Sequence, residues 1–119
     1  MTLTIPIAGM VLDGCVLAIL KEGDTYGYDL TQHLQKQIEI SESTLYPVLR
    51  RLQKEDYLET YDIPHSGRNR RYYKLTPLGL QRLEATKVAW EVYKNQVGGL
   101  LRTDISIPEM LLDGGPRND

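Results

Sequence analysis

Residues 41–54 read Ser41-Glu-Ser-Thr-Leu-Tyr-Pro-Val-Leu-Arg-Arg-Leu-Gln-Lys54, and residues 55–76 continue Glu55-Asp-Tyr-Leu-Glu-Thr-Tyr-Asp-Ile-Pro-His-Ser-Gly-Arg-Asn-Arg-Arg-Tyr-Tyr-Lys-Leu-Thr76. In the first stretch Leu45, Val48, Leu49 and Leu52 recur at i, i+3, i+4 and i+7, the period of one apolar helical face. Ser43, Tyr46, Pro47, Arg50 and Lys54 fall on the opposite face. Ser41 or Ser43 can cap this helix. Pro47 favours the later start, because a proline near the first turn gives up an N–H that has no partner there. After Lys54 the period becomes strand-like. Tyr57, Leu58, Thr60, Tyr61 and Ile63 predict one strand, Tyr72, Tyr73, Leu75 and Thr76 another, and Pro64 to Asn69 the loop between them.

A helix fits the DNA major groove, and a cationic hairpin beside it can hold phosphates, so this one stretch can supply both readout and registration. The groove-facing candidates are Ser43, Thr44, Tyr46, Arg50 and Lys54. From Pro64 through Lys74 the chain carries Arg68, Arg70, Arg71 and Lys74 without a single carboxylate. With Asn69, these are the backbone-contacting candidates. For a hairpin taken alone, a solvated, charge-decorated turn would be the competing reading; the helix immediately before it argues for DNA.

Total charge hides this pattern, because the 119 residues carry a formal net charge of −2. Residues 1–49 hold two basic and six acidic side chains, residues 50–74 seven and four, and residues 75–119 five and six. Positive charge is segregated onto the proposed DNA-binding face, whereas a generally basic chain would indicate indiscriminate nucleic-acid binding.

The length suits one domain with a compact core of three or four helices. The longest apolar run, Ile7 to Leu20, is broken by Asp13, lacks a preceding basic segment and is too short to cross a bilayer, so a cytoplasmic protein is expected. Cys15 is the only cysteine. It excludes an internal disulfide and a multi-cysteine zinc site, and its apolar neighbours suggest a buried structural thiol. His33 and His65 have no second ligand at metal spacing, so neither metal nor cofactor is expected. An enzyme is not indicated: there is no carboxylate pair in a credible cleft, no Ser/His/Asp order and no phosphate-cradling glycine loop.

Gly9 to Leu20 predicts a mostly buried first helix. Asp24 can cap a second one running from Thr25 to Ile38, with Tyr26, Leu30 and Leu34 at helical spacing. Thr76-Pro77, a hydroxyl followed by proline at the first helical position, predicts the start of a last helix that Gly98-Gly99 would end near Val97. Along it Leu80, Leu83, Trp90, Val97 and Leu101 form a roughly heptad track, and Ala85, Ala89 and Val92 add a second apolar face. The track suggests a partner helix, with folding back onto its own domain as the alternative. The expected fold is mainly α with a small β-hairpin: a winged helix-turn-helix over residues 1–76, a dimerisation helix over 77–101 and a flexible tail over 102–119.

Three stretches carry a resemblance: Gly23-Asp-Thr-Tyr-Gly-Tyr-Asp-Leu30, Ser43-Thr-Leu-Tyr-Pro-Val-Leu-Arg-Arg-Leu52 and Gly67-Arg-Asn-Arg-Arg-Tyr-Tyr-Lys-Leu-Thr-Pro-Leu-Gly79. They are similar to the signatures of the PadR family of bacterial transcriptional regulators, in its smaller subgroup with a single C-terminal helix. The resemblance implies a homodimer built from the first and last helices, binding an inverted-repeat operator in double-stranded DNA and usually repressing the neighbouring gene. Some relatives respond to phenolic acids and others bind planar aromatic drugs, and Trp90 lies where the multidrug-binding relatives place a tryptophan at the dimer axis; the alternative is a core or interface tryptophan that binds no ligand. If a ligand binds there, Lys87 or Lys94 could pair with it as an anion, or either could be a solvated helix charge. The expected dimer interface comprises Val11, Cys15, Leu83, Trp90 and Val97. Asp56-Tyr57 departs from the family, which often has glycine before the wing. The rival function is a winged helix used for protein contact without specific DNA binding.

Overall fold

The computed structural model describes residues 3–102. Its elements run α1 (Gly9–Glu22), β1 (Thr25–Tyr26), α2 (Gly27–Gln35), α3 (Glu42–Lys54), β2 (Leu58–His65), β3 (Arg68–Leu75) and α4 (Pro77–Leu101). The strands form one antiparallel sheet in the order β1-β3-β2. This is a mainly helical winged helix-turn-helix. Of the tail expected over 102–119, Arg102 caps α4 and residues 103–119 lie outside the described residues.

Ten leucines and Val16 form the core, drawn from α1, α2, α3, β2 and the first turns of α4. Three of the four residues of the α3 stripe, Leu45, Leu49 and Leu52, are buried in it, with Val48 partly covered beside them. Burying each such side chain contributes about 1.5–3 kcal/mol, which holds α3 with its polar face outward.

The cap of α3 is Ser41, the earlier of the two candidates; its Oγ accepts the Thr44 N–H at 3.3 Å. Pro47 therefore sits in the second turn, where its missing N–H leaves the Ser43 carbonyl without the usual helical partner. The other end closes as a Schellman motif. Tyr57 N–H reaches the Leu52 carbonyl at 2.9 Å and Asp56 N–H reaches the Gln53 carbonyl at 3.0 Å. Asp56 occupies the left-handed position with φ 64°, doing what glycine usually does there.

The hairpin is longer and tighter than the sequence suggests. Its register runs without a break from Leu58↔Leu75 to His65↔Arg68. Pro64, His65, Arg68 and Asn69 are therefore strand residues, and only Ser66 and Gly67 turn the chain. Their φ values of 50° and 82° match a type I′ turn, whose twist suits a hairpin.

Two helix boundaries also differ. Asp24 does not cap α2. Its carboxylate instead accepts the Tyr61 hydroxyl at 2.7 Å, while Thr25 and Tyr26 form a short strand against Tyr73 and Tyr72. Gly98 and Gly99 lie inside α4, which continues to Leu101 and closes on Arg102 at φ 57°. The start of α4 is as expected, with Thr76 accepting the Gly79 N–H at 2.9 Å and proline at the first position. α4 packs on α1 through Leu83 and Thr86. Farther along it, Val88, Trp90, Val92, Tyr93, Leu100 and Leu101 are exposed.

Candidate nucleic-acid interface

Ser43, Thr44, Pro47, Arg50 and Lys54 all lie on the exposed side of α3. At its N-terminus the hydroxyls of Ser43 and Thr44 each lie 3.0 Å from Ser41 Oγ, a cluster of small donors and acceptors able to meet base edges or phosphates. Tyr46 is different. A methyl group on Gly27 would lie 3.1 Å from both Cε1 and Oη of Tyr46, so its ring rests across the first turn of α2 with one edge left to solvent.

Adjacent arginines on α3 have separate roles. Arg50 is exposed and has no ion-pair partner among the described residues. Arg51 reaches back to α1, where its guanidinium lies 2.5 Å from the Asp13 carboxylate, and it also contacts Glu55 at 3.4 Å. Asp13 is only 5 % exposed. The acid that breaks the apolar run of α1 is thus the anchor of the third helix. The sequence carried one signal for it, an acid in a buried helix without a local partner.

The wing has two faces, fixed by the alternation of β3. Tyr73 and Leu75 face the core, so Asn69 and Arg71 continue that side outward from α3. Burial pushes the Tyr73 phenol up, keeping it neutral, against the charges of Arg71 and Arg50, which both favour its ionisation.

Arg68, Arg70, Tyr72 and Lys74 share the opposite face. On it Tyr72 stacks on Tyr61 (centroids 5.6 Å, 16° between planes) and meets Tyr26 edge-on at 5.5 Å. The Arg70 guanidinium sits 4.0 Å from the Tyr26 ring centroid. Nor is the wing acid-free in space: β2 places Asp62 opposite Arg71, with 3.5 Å between the groups, and Glu59 opposite Lys74. Both members of the Arg71–Asp62 pair are exposed, so phosphate can compete for the arginine.

Comparison with known proteins agrees with this geometry. The profile of the "Transcriptional regulator PadR-like family" matches residues 16–85, from the middle of α1 through α3 and the wing into α4. The chain belongs to the PadR family. It is 34 % identical over 79 residues to Transcriptional regulator Rv3488 of Mycobacterium tuberculosis, covering 66 % of this chain and 74 % of that protein. The crystal structure of smu.1704 from Streptococcus mutans superposes with a TM-score of 0.75 at 38 % identity, covering 89 % of this chain and all of that one. A PadR-like transcriptional regulator of Bacillus cereus gives 0.69 at 38 % identity, covering 79 % and 94 %. Family and fold are those of transcriptional regulators that bind DNA rather than of enzymes. Among the described residues, no helix is long and apolar enough to cross a membrane.

The first and last helices lie together and form an apolar groove. Val11, Cys15, Ala18, Leu83 and Trp90 line a concavity of about 300 Å³, with Lys87 at its edge. A second of about 270 Å³ adjoins it and shares Val11 and Trp90, adding Met10, Ala89 and Tyr93. Trp90 is 40 % exposed, and its ring centroid lies 6.3 Å from that of Tyr93. Leu83 belongs mainly to the core, being 2 % exposed. Cys15 is half-buried rather than fully enclosed, and burial pushes its thiol up, away from the reactive thiolate.

Lys87 is already paired with Glu84 at 3.3 Å and Lys94 with Glu91 at 3.0 Å. Lys94 lines neither concavity, and Val97 lies beyond both on α4, partly covered. Trp90 also lies outside the residues matched by the family profile.

Proposed function

We propose that this PadR-family chain is a homodimeric, ligand-responsive repressor that binds an inverted-repeat operator and controls a neighbouring gene. In this reading residues 1–76 bind DNA and the helix over 77–101 dimerises. Ser43, Thr44 and Arg50 read base edges from α3, while Lys54, Asn69 and Arg71 meet phosphates, with Arg68, Arg70 and Lys74 on the other face of the wing as secondary contacts. The observation that carries the reading is the exposed face of α3, with Ser43, Thr44, Arg50 and Lys54 opposite its buried leucine stripe, followed directly by a hairpin that carries Arg68, Arg70, Arg71 and Lys74. A duplex lying along α3 would find readout groups on the helix and cations on the wing, as combined readout and positioning require.

The dimer rests on the apolar side chains left open on α4, together with Met10, Val11 and Cys15 on α1. A monomer has no use for so much exposed apolar surface. The same groove is where a planar aromatic or phenolic effector would lie against Trp90 and change the separation of the two third helices. DNA affinity would then change without contact between effector and DNA.

The test begins with duplexes selected by the protein from a random pool. Anisotropy titrations on a selected and a scrambled duplex over a salt series should give affinities falling steeply with salt, by a log-log slope of about 0.9 per phosphate contact. The selected duplex should bind on the order of 10³-fold tighter or more. A flat salt dependence with no preference between the duplexes would instead favour a winged helix devoted to protein contact.

A further inference from the structure

α3 touches its neighbours on two flanks of its buried stripe. On one side Tyr46 lies across Gly27 of α2, and on the other Arg51 reaches the buried Asp13 of α1. Arg50 precedes Arg51 by one residue and lies about 100° around the helix from it. Apolar packing fixes which face of a helix is buried but sets a small rotation about its axis less sharply, because leucines can adjust their packing. A guanidinium held to a carboxylate that is 5 % exposed has far less freedom, since any rotation would strand a buried charge.

Asp13 belongs to the helix whose other side, at Val11, Cys15 and Ala18, lines the apolar groove. We propose that Asp13 and Arg51 form a positioning pair that sets the rotation of α3 about its axis, thereby aiming Arg50, and that links α3 to the groove-lining helix. The inference rests on the proposed reading of α3 as the helix that enters the major groove.

Arg51 is bound by Asp13 and also faces Glu55, so two carboxylates already occupy its guanidinium. It is therefore a poor phosphate ligand, and its contribution to DNA binding runs through geometry. This separates it from a simple charge effect. Asp13→Asn removes an acid and leaves every cation in place, so charge alone would tighten binding to any duplex. Loss of aim would weaken binding only where bases are read.

Full-length Asp13→Asn, Arg51→Lys, Arg51→Met and the Asp13→Asn/Arg51→Met double variant are titrated against a duplex selected by the parent protein and a scrambled one. Titrations run at a temperature where circular dichroism shows each variant folded. Asp13→Asn should lose on the order of tenfold on the selected duplex, comparable to one misplaced base contact. On the scrambled duplex its affinity should match or slightly exceed the parent's, with no loss. Arg51→Lys should recover part of what Arg51→Met loses, and the double variant should lose no more than Arg51→Met alone.

If Asp13→Asn does not fold, Arg51→Lys carries the same comparison, because it keeps both charges and alters only their fit. Parental or tighter binding of the selected duplex by Asp13→Asn overturns the proposal, as does an equal loss on both duplexes. Arg50→Ala distinguishes the two failures. If it leaves the selected-to-scrambled ratio unchanged, the reading of α3 itself fails; if it lowers the ratio and Asp13→Asn does not, only the positioning role fails.

Discussion

The carbonyl oxygen of Tyr57 stands where a β-carbon on Gly79 would have to go. The same oxygen accepts the Thr76 N–H at 3.2 Å, and the Thr76 hydroxyl donates to the Asp56 carbonyl at 2.7 Å. The end of α3, the root of the wing and the first turn of α4 are thus joined through a few backbone groups that leave no room for a methyl. Alanine is otherwise the better helix former by about 1 kcal/mol. Gly79→Ala should nonetheless destabilise by about 1–3 kcal/mol, because backbone is harder to displace than a side chain. A melting temperature lowered by about 4–8 °C for each kcal/mol lost is the expected readout, and an increase would contradict the packing described.

Asp56 gives a prediction of the opposite sign. It holds φ 64° in the Schellman motif, a conformation that is strained for a residue with a β-carbon and free for glycine. Asp56→Gly should raise stability by up to about 1 kcal/mol, the relief of strain being partly offset by the greater freedom of glycine in the unfolded chain. Chemical denaturation at constant m-value checks it. A loss of stability would mean that the Asp56 side chain contributes more than its backbone strain costs.

Within the wing, Arg70 and Arg71 should separate despite being neighbours. Arg71 lies on the face that continues from Tyr73 and, among the described residues, is paired only with the exposed Asp62, whereas Arg70 is held over Tyr26 on the other face. Arg71→Ala should weaken selected and scrambled duplexes alike and flatten the log K against log salt slope by about 0.9. Arg70→Ala should change the slope less and instead cost about 0.5–1 kcal/mol of stability, the worth of an exposed cation–π contact. Equal slope changes from both variants would show that the two faces meet phosphate equally.

The third helix and the hairpin could be read from the sequence because their signals are periodic and local. Leu45, Val48, Leu49 and Leu52 follow one helical stripe, and Tyr72, Tyr73 and Leu75 lie in a β-rich run. What could not be read depends on contacts distant in sequence. Asp24 has the chemistry of a helix cap, but Tyr61, far along the chain, takes its carboxylate. A strand of two residues at Thr25 and Tyr26 is too short to show a period. Arg50 and Arg51 are chemically identical, and only the position of Asp13 on α1 makes one an anchor and leaves the other free. The run from Pro64 to Lys74 is acid-free as a sequence, but pairing with β2 sets Asp62 beside Arg71.

Cys15 provides a pH test of the groove. Burial disfavours its thiolate, so the thiol stays protonated at neutral pH and alkylation should be slow compared with a free cysteine. Because the folded-state value lies above the unfolded one, this group's contribution to stability is fully present below the ordinary thiol range. It is lost as pH rises through the folded value. Alkylation by iodoacetamide should therefore accelerate with pH later than for a model thiol. Fast alkylation at neutral pH would mean that the α1–α4 face opens readily to solvent.

Trp90 is the sharpest test of an effector, being the only tryptophan in the chain. It lines both adjoining concavities beside Val11, with Tyr93 close by and Lys87 at the rim. A planar aromatic molecule entering there would remove apolar surface from water and change the environment of the indole directly. Its effect on DNA is limited by how differently it binds the two dimer geometries, about 1–3 kcal/mol for typical coupling. In the proposed dimer, half-sites one helical turn apart would demand a spacing of about 34–36 Å between the third helices, so a small change at the dimer axis would be felt. Titrating planar dyes and phenolic acids into the full-length protein should shift or quench Trp90 emission and alter affinity for the selected duplex over the same concentration range. Trp90→Ala should abolish the ligand's effect on DNA while leaving the salt slope unchanged, since no phosphate contact is touched. If dyes and phenolic acids leave the emission unaltered, and Trp90→Ala dimerises and binds DNA as the parent does, Trp90 is neither sensor nor interface anchor.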